Sequence, residues 1–346
     1  MKRLVAIISI SLLAYILSGC TYWTMSVGNS EPERVAETNE TMDDKKYDYN
    51  LDVSNYEKIV LNLDIDVSDV TLKQTDTSQF KLNQRANSSE LFVVPSKSEN
   101  GKTLTLSFKS PDSHKLLSLN TKNSDITIEL PEQLIYSVNT SLDVGKFNLK
   151  QDILLTVLEV STDVGDIDVS LSTSQDNLQS VNLSSDVGKI DFSIEDGSTA
   201  LKSVQLASNV GDIIMKLDGS FPSLTKIENN TSTGKITSKL GGDYGQKIDS
   251  TITSDVGKIA LDLTGDYKTQ SKVITSSSTG GIQISINSDL PIKLDAQEEE
   301  FVSKIKLNSI ESSHIDDLYY LNGASPDHFT LTIEADSDVG NIEIVK

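Results

Sequence analysis

Cysteine is almost absent: Cys20 is the only one in 346 residues. A single thiol excludes an internal disulfide framework and any site built from several thiolates. Histidine is nearly as scarce, with only His114, His314 and His328, and no two of them stand at metal-ligand spacing. Gly-x-Ser-x-Gly, Walker and dinucleotide loops are missing. Aromatic residues make up 5% of the chain and prolines number 7. A glycan site draws on aromatic platforms, and the candidates here, Tyr244, Tyr267, Tyr319 and Tyr320, also read as ordinary packing. Positive charge is short too: 30 Lys and Arg against 51 Asp and Glu leave a net charge of −21. So acidic a chain disfavours nucleic acid and anionic headgroups as partners and suits cations, basic proteins or plain solubility.

What is present begins with a leader. Lys2 and Arg3 precede an apolar run, Leu4 to Leu17, too short to span a membrane comfortably. It ends in Leu17-Ser18-Gly19-Cys20, which resembles a bacterial lipobox. The resemblance implies cleavage before Cys20, a diacylglycerol on its sulfur, and anchoring by acyl chains at the extracytoplasmic face of the cell membrane. Residues 1–19 are then the signal peptide, and losing Lys2 and Arg3 with it takes the charge from −21 to −23. Residues 20–50 have few apolar side chains and no period, so they read as a flexible tether. Such a linker holds a domain about 30 Å from the surface. Tyr22 and Trp23 sit where they can rest in the interface.

From residue 51 the pattern is that of strands. Ile59, Leu61, Leu63 and Ile65 alternate with polar residues, and Val70 and Leu72 continue after a phase slip. A phrase of Asp-Val-Gly, a polar residue and an apolar one then recurs at Asp143-Val144-Gly145, Asp163-Val164-Gly165, Asp186-Val187-Gly188 and Asp255-Val256-Gly257. Asn209-Val210-Gly211, Ser232-Thr233-Gly234 and Ser278-Thr279-Gly280 vary it. From Gly145 to Gly280 the glycines are 20, 23, 23, 23, 23 and 23 residues apart. Ser124-Asp125 reads as the equivalent pair one period before Gly145. A fixed period of this size predicts a stacked fold in which each unit buries its apolar face only against its neighbours. We therefore expect an all-β chain forming a parallel, right-handed β-solenoid over 51–290, with rungs of about 20–23 residues. An antiparallel sandwich or propeller is the alternative. Ile167, Ile190, Ile213, Ile236, Ile259 and Ile282 should stack as one interior ladder, and the glycine should mark a corner with positive φ or a close backbone approach.

Residues 291–346 break the rhythm, since Gly280 and Gly340 are 60 apart. This stretch reads as an irregular insertion or cap followed by the last strands, Leu331–Ile333 and Ile342–Ile344. The corner carboxylates Asp143, Asp163, Asp186 and Asp255 admit three readings. They are turn residues bonding their own backbone, weak Ca²⁺ ligands, or a catalytic acid set of the kind used on polysaccharides. Exchange with Asn209, Ser232 and Ser278 favours the turn. Lys146, Lys189, Lys235 and Lys258 alternate with Asp166 and Asp212 three residues on, so compensating charge is at hand.

With Gly101-Lys102-Thr103-Leu104-Thr105-Leu106 ahead of them, these repeats resemble the bacterial "putative adhesin" repeat family over about residues 55–346. The resemblance implies a solenoid at the cell surface and supplies no catalytic motif to carry over. The expected function is a non-enzymatic, lipid-anchored surface protein, an adhesin or envelope-interaction scaffold meeting an extracellular protein or glycan. An accessory role in envelope stress, as the genomic setting of such families implies, is the alternative. A polysaccharide-acting enzyme is third. No cofactor or metal is expected, and Cys20 is the one assigned site.

Overall fold

The computed structural model describes residues 45–111, 123–297, 304–308 and 310–346. The leader, Cys20, the tether up to residue 44 and His114 lie outside the described residues.

Period-2 alternation builds each rung from two strands. In Ser180–Val187 the side chains of Val181, Leu183 and Ser185 point into the protein. Gly188 and Lys189 turn the chain into the short strand Ile190–Ile194, which buries Ile190, Phe192 and Ile194. The next long strand, Ser203–Val210, lies parallel to the first, with Val181 opposite Val204 and Leu183 opposite Leu206. Each partner is thus 23 residues on. The long strands assemble into a 14-stranded sheet and the short ones into a 13-stranded sheet. Their inward side chains share one hydrophobic core. The fold is an all-β parallel solenoid. Consecutive rungs pair in parallel, so the antiparallel sandwich or propeller is not what forms.

The isoleucine ladder is present: Ile167, Ile190, Ile213, Ile236, Ile259 and Ile282 stand in register. None is more than 1% exposed. Ladder contacts of this kind remove each rung's apolar face from water, at about 1.5–3 kcal/mol for a fully buried aliphatic side chain. Three rungs add a third short strand at Ser220–Phe221, Asp243–Tyr244 and Asp266–Tyr267. There Phe221, Tyr244 and Tyr267 stack at 5.7 and 5.2 Å between centroids.

Among the described residues, a polar pair crosses the interior between the two sheets. Asn229 takes the place that Leu206 and Ile252 hold in the adjoining rungs. Its Nδ2 donates to Ser238 Oγ at 2.8 Å, while its Oδ1 is buried with no partner. Thr275, two rungs on in the same column, is also buried with its hydroxyl unpaired.

Both ends of the stack run out of sequence order. The first rung in the chain, Lys58–Val67 with Asp69–Thr75, is covered on its outer side by Thr103–Lys109 and Ser124–Pro131. On its inner side it pairs with Ile135–Val144 and Phe147–Leu149. Beyond the outer rung lie antiparallel strands, Gln79–Ala86 and then Lys45–Asp52 on the short-strand sheet and Val94–Asn100 on the long-strand sheet. The other end mirrors this. The last strands in sequence, Leu331–Ser337 and Ile342–Val345, pair on one side with Ser271–Thr279 and Ile282–Ile286. On the other side they meet Ile292–Gln297 and Ile305–Leu307. Leu318–Leu321 and Ser312–Ile315 then close the long-strand sheet in antiparallel fashion.

Three expectations change here. The tether does not reach residue 50: Lys45–Asp52 is a strand, because Tyr47, Tyr49 and Leu51 alternate and pack against the core. The stretch 291–330 is not an irregular insertion alone, since Ile292–Gln297 and Ile305–Leu307 form a rung and only the antiparallel hairpin beyond them caps it. Ser124-Asp125 is not the neighbour of the Gly145 corner. Ser68-Asp69 is, as the Lys146 N–H donates to Asp69 Oδ1 at 2.8 Å. The phase slip before Val70 is that corner.

Candidate functional site

The recurring phrase sits where the long strand turns into the short one. A Cβ on Gly234, at φ +157°, would lie 2.0 Å from the carbonyl oxygen of Gly211 in the rung before. The glycine is required because successive corners stack backbone on backbone. Its N–H donates onward, as from Gly234 to the Val256 carbonyl at 2.9 Å. Three residues before the glycine stands a hydroxyl that closes the corner. Ser185, Ser208, Thr231, Ser254, Ser277 and Ser337 each donate to the glycine carbonyl of the preceding rung at 3.0 Å. Thr162 does so at 3.3 Å. Period-2 alternation alone does not single out these hydroxyls, which stand at inward positions of the long strands. A Ser or Thr at the same offset in every one of these rungs was the available signal.

The corner aspartates do not cap this turn. Asp143, Asp163 and Asp186 project outward from three successive rungs and are exposed. Asp255 stands apart, between the rungs of Ser232 and Ser278. The carboxyl of Asp143 is held above its ordinary range by loss of hydration and then by the nearby carboxylates of Asp163 and Asp64. The backbone-bonding role falls to the aspartates one residue after the corner. Asp166 Oδ1 accepts the Lys189 N–H at 3.0 Å and Asp212 Oδ1 that of Lys235 at 2.8 Å. The Lys146 ammonium also reaches Asp166 at 3.0 Å. These contacts, the Lys189 N–H foremost, hold the Asp166 carboxyl below its ordinary range. Among the described residues no three His, Cys, Asp or Glu side chains form a group that holds a metal ion. The corner carboxylates form a spaced row.

The remaining chemical candidates are scattered. His314 stacks on Tyr319 at 4.6 Å in the C-terminal hairpin, and His328 pairs through its backbone with Ser325. Tyr244 and Tyr267 are buried in the aromatic stack, where desolvation pushes both hydroxyls well up. They are core residues, with no face offered to a ligand.

The open surface is the outer face of the long-strand sheet. Its outward residues line up in columns, one side chain per rung at about 4.8 Å. One column is tall and polar, running through Asn62, Asn139, Glu159, Asn182, Gln205 and Glu228. Asn139 Nδ2 donates to Asn62 Oδ1 at 2.9 Å and Gln205 Nε2 to Glu228 Oε2 at 2.6 Å. The adjoining column is small, with Ser141, Ser161, Ser184 and Ala207. The difference in height leaves a shallow trough of about 300 Å³ bordered by Asn62, Asp64, Asn139, Ser141, Glu159 and Ser161. A second depression of about 230 Å³ opens on the same face near the other end, among Ser276, Asp295, Glu334 and Asp336. Amides, hydroxyls and carboxylates arranged so can bind an elongated polar partner. The trough walls supply no nucleophile paired with a base.

Comparison with known proteins bears on this architecture. Residues 37–193 match the family model described as the N-terminal domain of toast_rack, DUF2154. The toast-rack match runs from the N-terminal cap into the rung Ser180–Ile194 and so includes the walls of the larger trough. Three of the similar solved structures are as follows. A putative cell adhesion protein from Clostridium sporogenes shares 15% identity over 87% of this chain and 98% of its own, with a TM-score of 0.31. A putative adhesin from Bacteroides fragilis shares 15% identity over 87% and 97%, TM-score 0.40. A putative lipid binding protein from Parabacteroides distasonis shares 14% identity over 87% and 97%, also with a TM-score of 0.40. No curated protein matches the sequence. Among the described residues no helix is long and apolar enough to cross a membrane.

Proposed function

We propose that this chain is a non-enzymatic cell-surface scaffold of the adhesin type, anchored through a lipid on Cys20. It uses the outer face of the long-strand sheet to contact an extracellular protein or glycan. The observation that carries this reading is the unbroken polar column beside a column of small residues, repeated rung after rung and open to solvent along its length. A face of this kind gains affinity by adding many modest hydrogen bonds along a partner. The lipobox and the acidic surface are in keeping with a position outside the cell.

Crosslinking in intact cells with mass spectrometry tests the reading. Asn139→Ala combined with Glu159→Ala should cut the recovery of crosslinked partners at least tenfold while leaving the fold intact. Unchanged crosslinks would sink the trough as the contact surface. Cys20→Ala should release the protein from the membrane fraction, and full retention would refute the anchor.

A further inference from the structure

The corners carry a second surface that the trough does not use. The residue just before most corner glycines is a valine turned to solvent. Val144, Val164, Val187 and Val210 occupy four successive rungs in register, with Val164 at 48% and Val187 at 49% exposed. Val256 and Val339 are equally bare farther along, with Thr233 and Thr279 between. The four valines make a ridge about 14 Å long at the usual rung spacing. Beside it run Asp143, Asp163 and Asp186, and among the described residues no Lys or Arg forms an ion pair with any of the three. Asp186 accepts the amide of Asn209 at 2.8 Å. The carboxylates of Asp163 and Asp64 lie close to that of Asp143.

We propose that this valine ridge and aspartate row dock a cationic amphipathic helix of a partner protein. Charge complementarity sets the sign of the partner: a row of carboxylates beside an apolar strip favours lysine or arginine flanking aliphatic side chains. Spacing sets the element. Rungs repeat at about 4.8 Å, close to the 5.4 Å helical pitch and far from the roughly 6.7 Å between same-face residues of a strand. A helix lying along the ridge therefore presents one aliphatic contact per rung, with its basic residues over Asp143, Asp163 and Asp186. A second copy of this chain would bring two acidic rows together, and an anionic membrane would be repelled. The proposal deepens the scaffold reading and rests on it.

The chain itself supplies variants that fold. Thr233 and Asn209 show which residues a rung tolerates at these positions. The triple variants Val164→Thr, Val187→Thr, Val210→Thr and Asp143→Asn, Asp163→Asn, Asp186→Asn apply them in full. The probe is a synthetic helix with leucine on one face and lysine on the other, titrated by fluorescence anisotropy at physiological salt. A control helix replaces its leucines with alanine. Each triple variant should raise Kd at least tenfold with unchanged melting behaviour, and the control helix should bind at least tenfold more weakly. A valine variant within twofold of the parent, or a control helix that binds equally well, overturns the ridge. So does valine-dependent binding to phosphatidylcholine vesicles, or valine-dependent self-association in sedimentation. Asn139→Ala with Glu159→Ala should leave helix binding unchanged. Loss of the ridge result alone therefore leaves the trough reading standing.

Discussion

At the scale of single residues, the corner divides its work among three neighbours. Glycine permits the close approach, the hydroxyl three residues earlier satisfies the glycine carbonyl behind it, and the carboxylate one residue later takes the next rung's N–H. Ser208→Ala leaves the Gly188 carbonyl without that donor and should cost about 1–2 kcal/mol. Ser208→Thr should be nearly neutral, as Thr162 and Thr231 make the same bond. Denaturant unfolding reads both. Gly234→Ala should be far worse, about 3 kcal/mol or more, because its Cβ meets backbone. Gly101→Ala, at φ +60° with open space around it, should cost only about 1 kcal/mol, which separates overlap from conformation. The carboxylates carry opposite pH signatures. Asp143 is raised in the folded chain, so its ionisation opposes folding, and the penalty disappears as pH falls through its raised value. Asp166 is lowered, so it stabilises above the ordinary carboxylate range, and that stability is lost as pH falls through its own lower value. Asp143→Asn should therefore raise Tm slightly at pH 7 and Asp166→Asn should lower it. Both differences should shrink as pH falls below the ordinary carboxyl value.

At the scale of elements, near-identical rungs face a register problem. A slip of one whole rung keeps almost every ladder contact, because Ile meets Ile either way. The Asn229–Ser238 pair joins the long and short strands of one rung and marks that rung with a polar contact where its neighbours hold Leu206 and Ile252. Asn229→Ala alone should destabilise by about 1–3 kcal/mol through the Ser238 hydroxyl it strands and the cavity it opens. Asn229→Leu with Ser238→Ala should instead be neutral or stabilising, and a double-mutant cycle measures the coupling. The chain ends raise a different point. A solenoid whose last strands were outermost would fray from its terminus. Here Leu331–Ser337 is paired on both sides, so the terminal strand is held like an interior one. Deleting residues 331–346 removes a rung from within the stack and separates Ile292–Gln297 from Ser271–Thr279. The truncated protein should lose cooperative unfolding at its C-terminal end, read as hydrogen exchange spreading into residues 249–286. Equal protection there would show that the outer rung can re-dock.

At the scale of the whole molecule, the trough and the valine ridge are both by-products of the repeat. Any residue type that recurs once per 23 becomes a column, and a column at the corner or on the outer face becomes a long, uniform surface. That is how a chain with 5% aromatics and no catalytic constellation in its sequence still offers extended binding geometry. The sequence by itself determined the rung. Period-2 alternation, the spacing of the glycines and the isoleucine two residues after all of them but Gly145 are local rules, and they dictate parallel stacking whatever lies at either end. Only the tertiary structure decided the rest, because it depends on which rung meets which. The placing of Ser68-Asp69 against Gly145, the threading of the first and last rungs in sequence one rung inward and the strand at Lys45–Asp52 are pairings across 27 to 77 residues that no period announces. The exposure of the valines was hidden for the same reason. By alternation Val164 shares its face with the buried Thr162, and it reaches solvent because the strand ends there and the backbone turns at the corner.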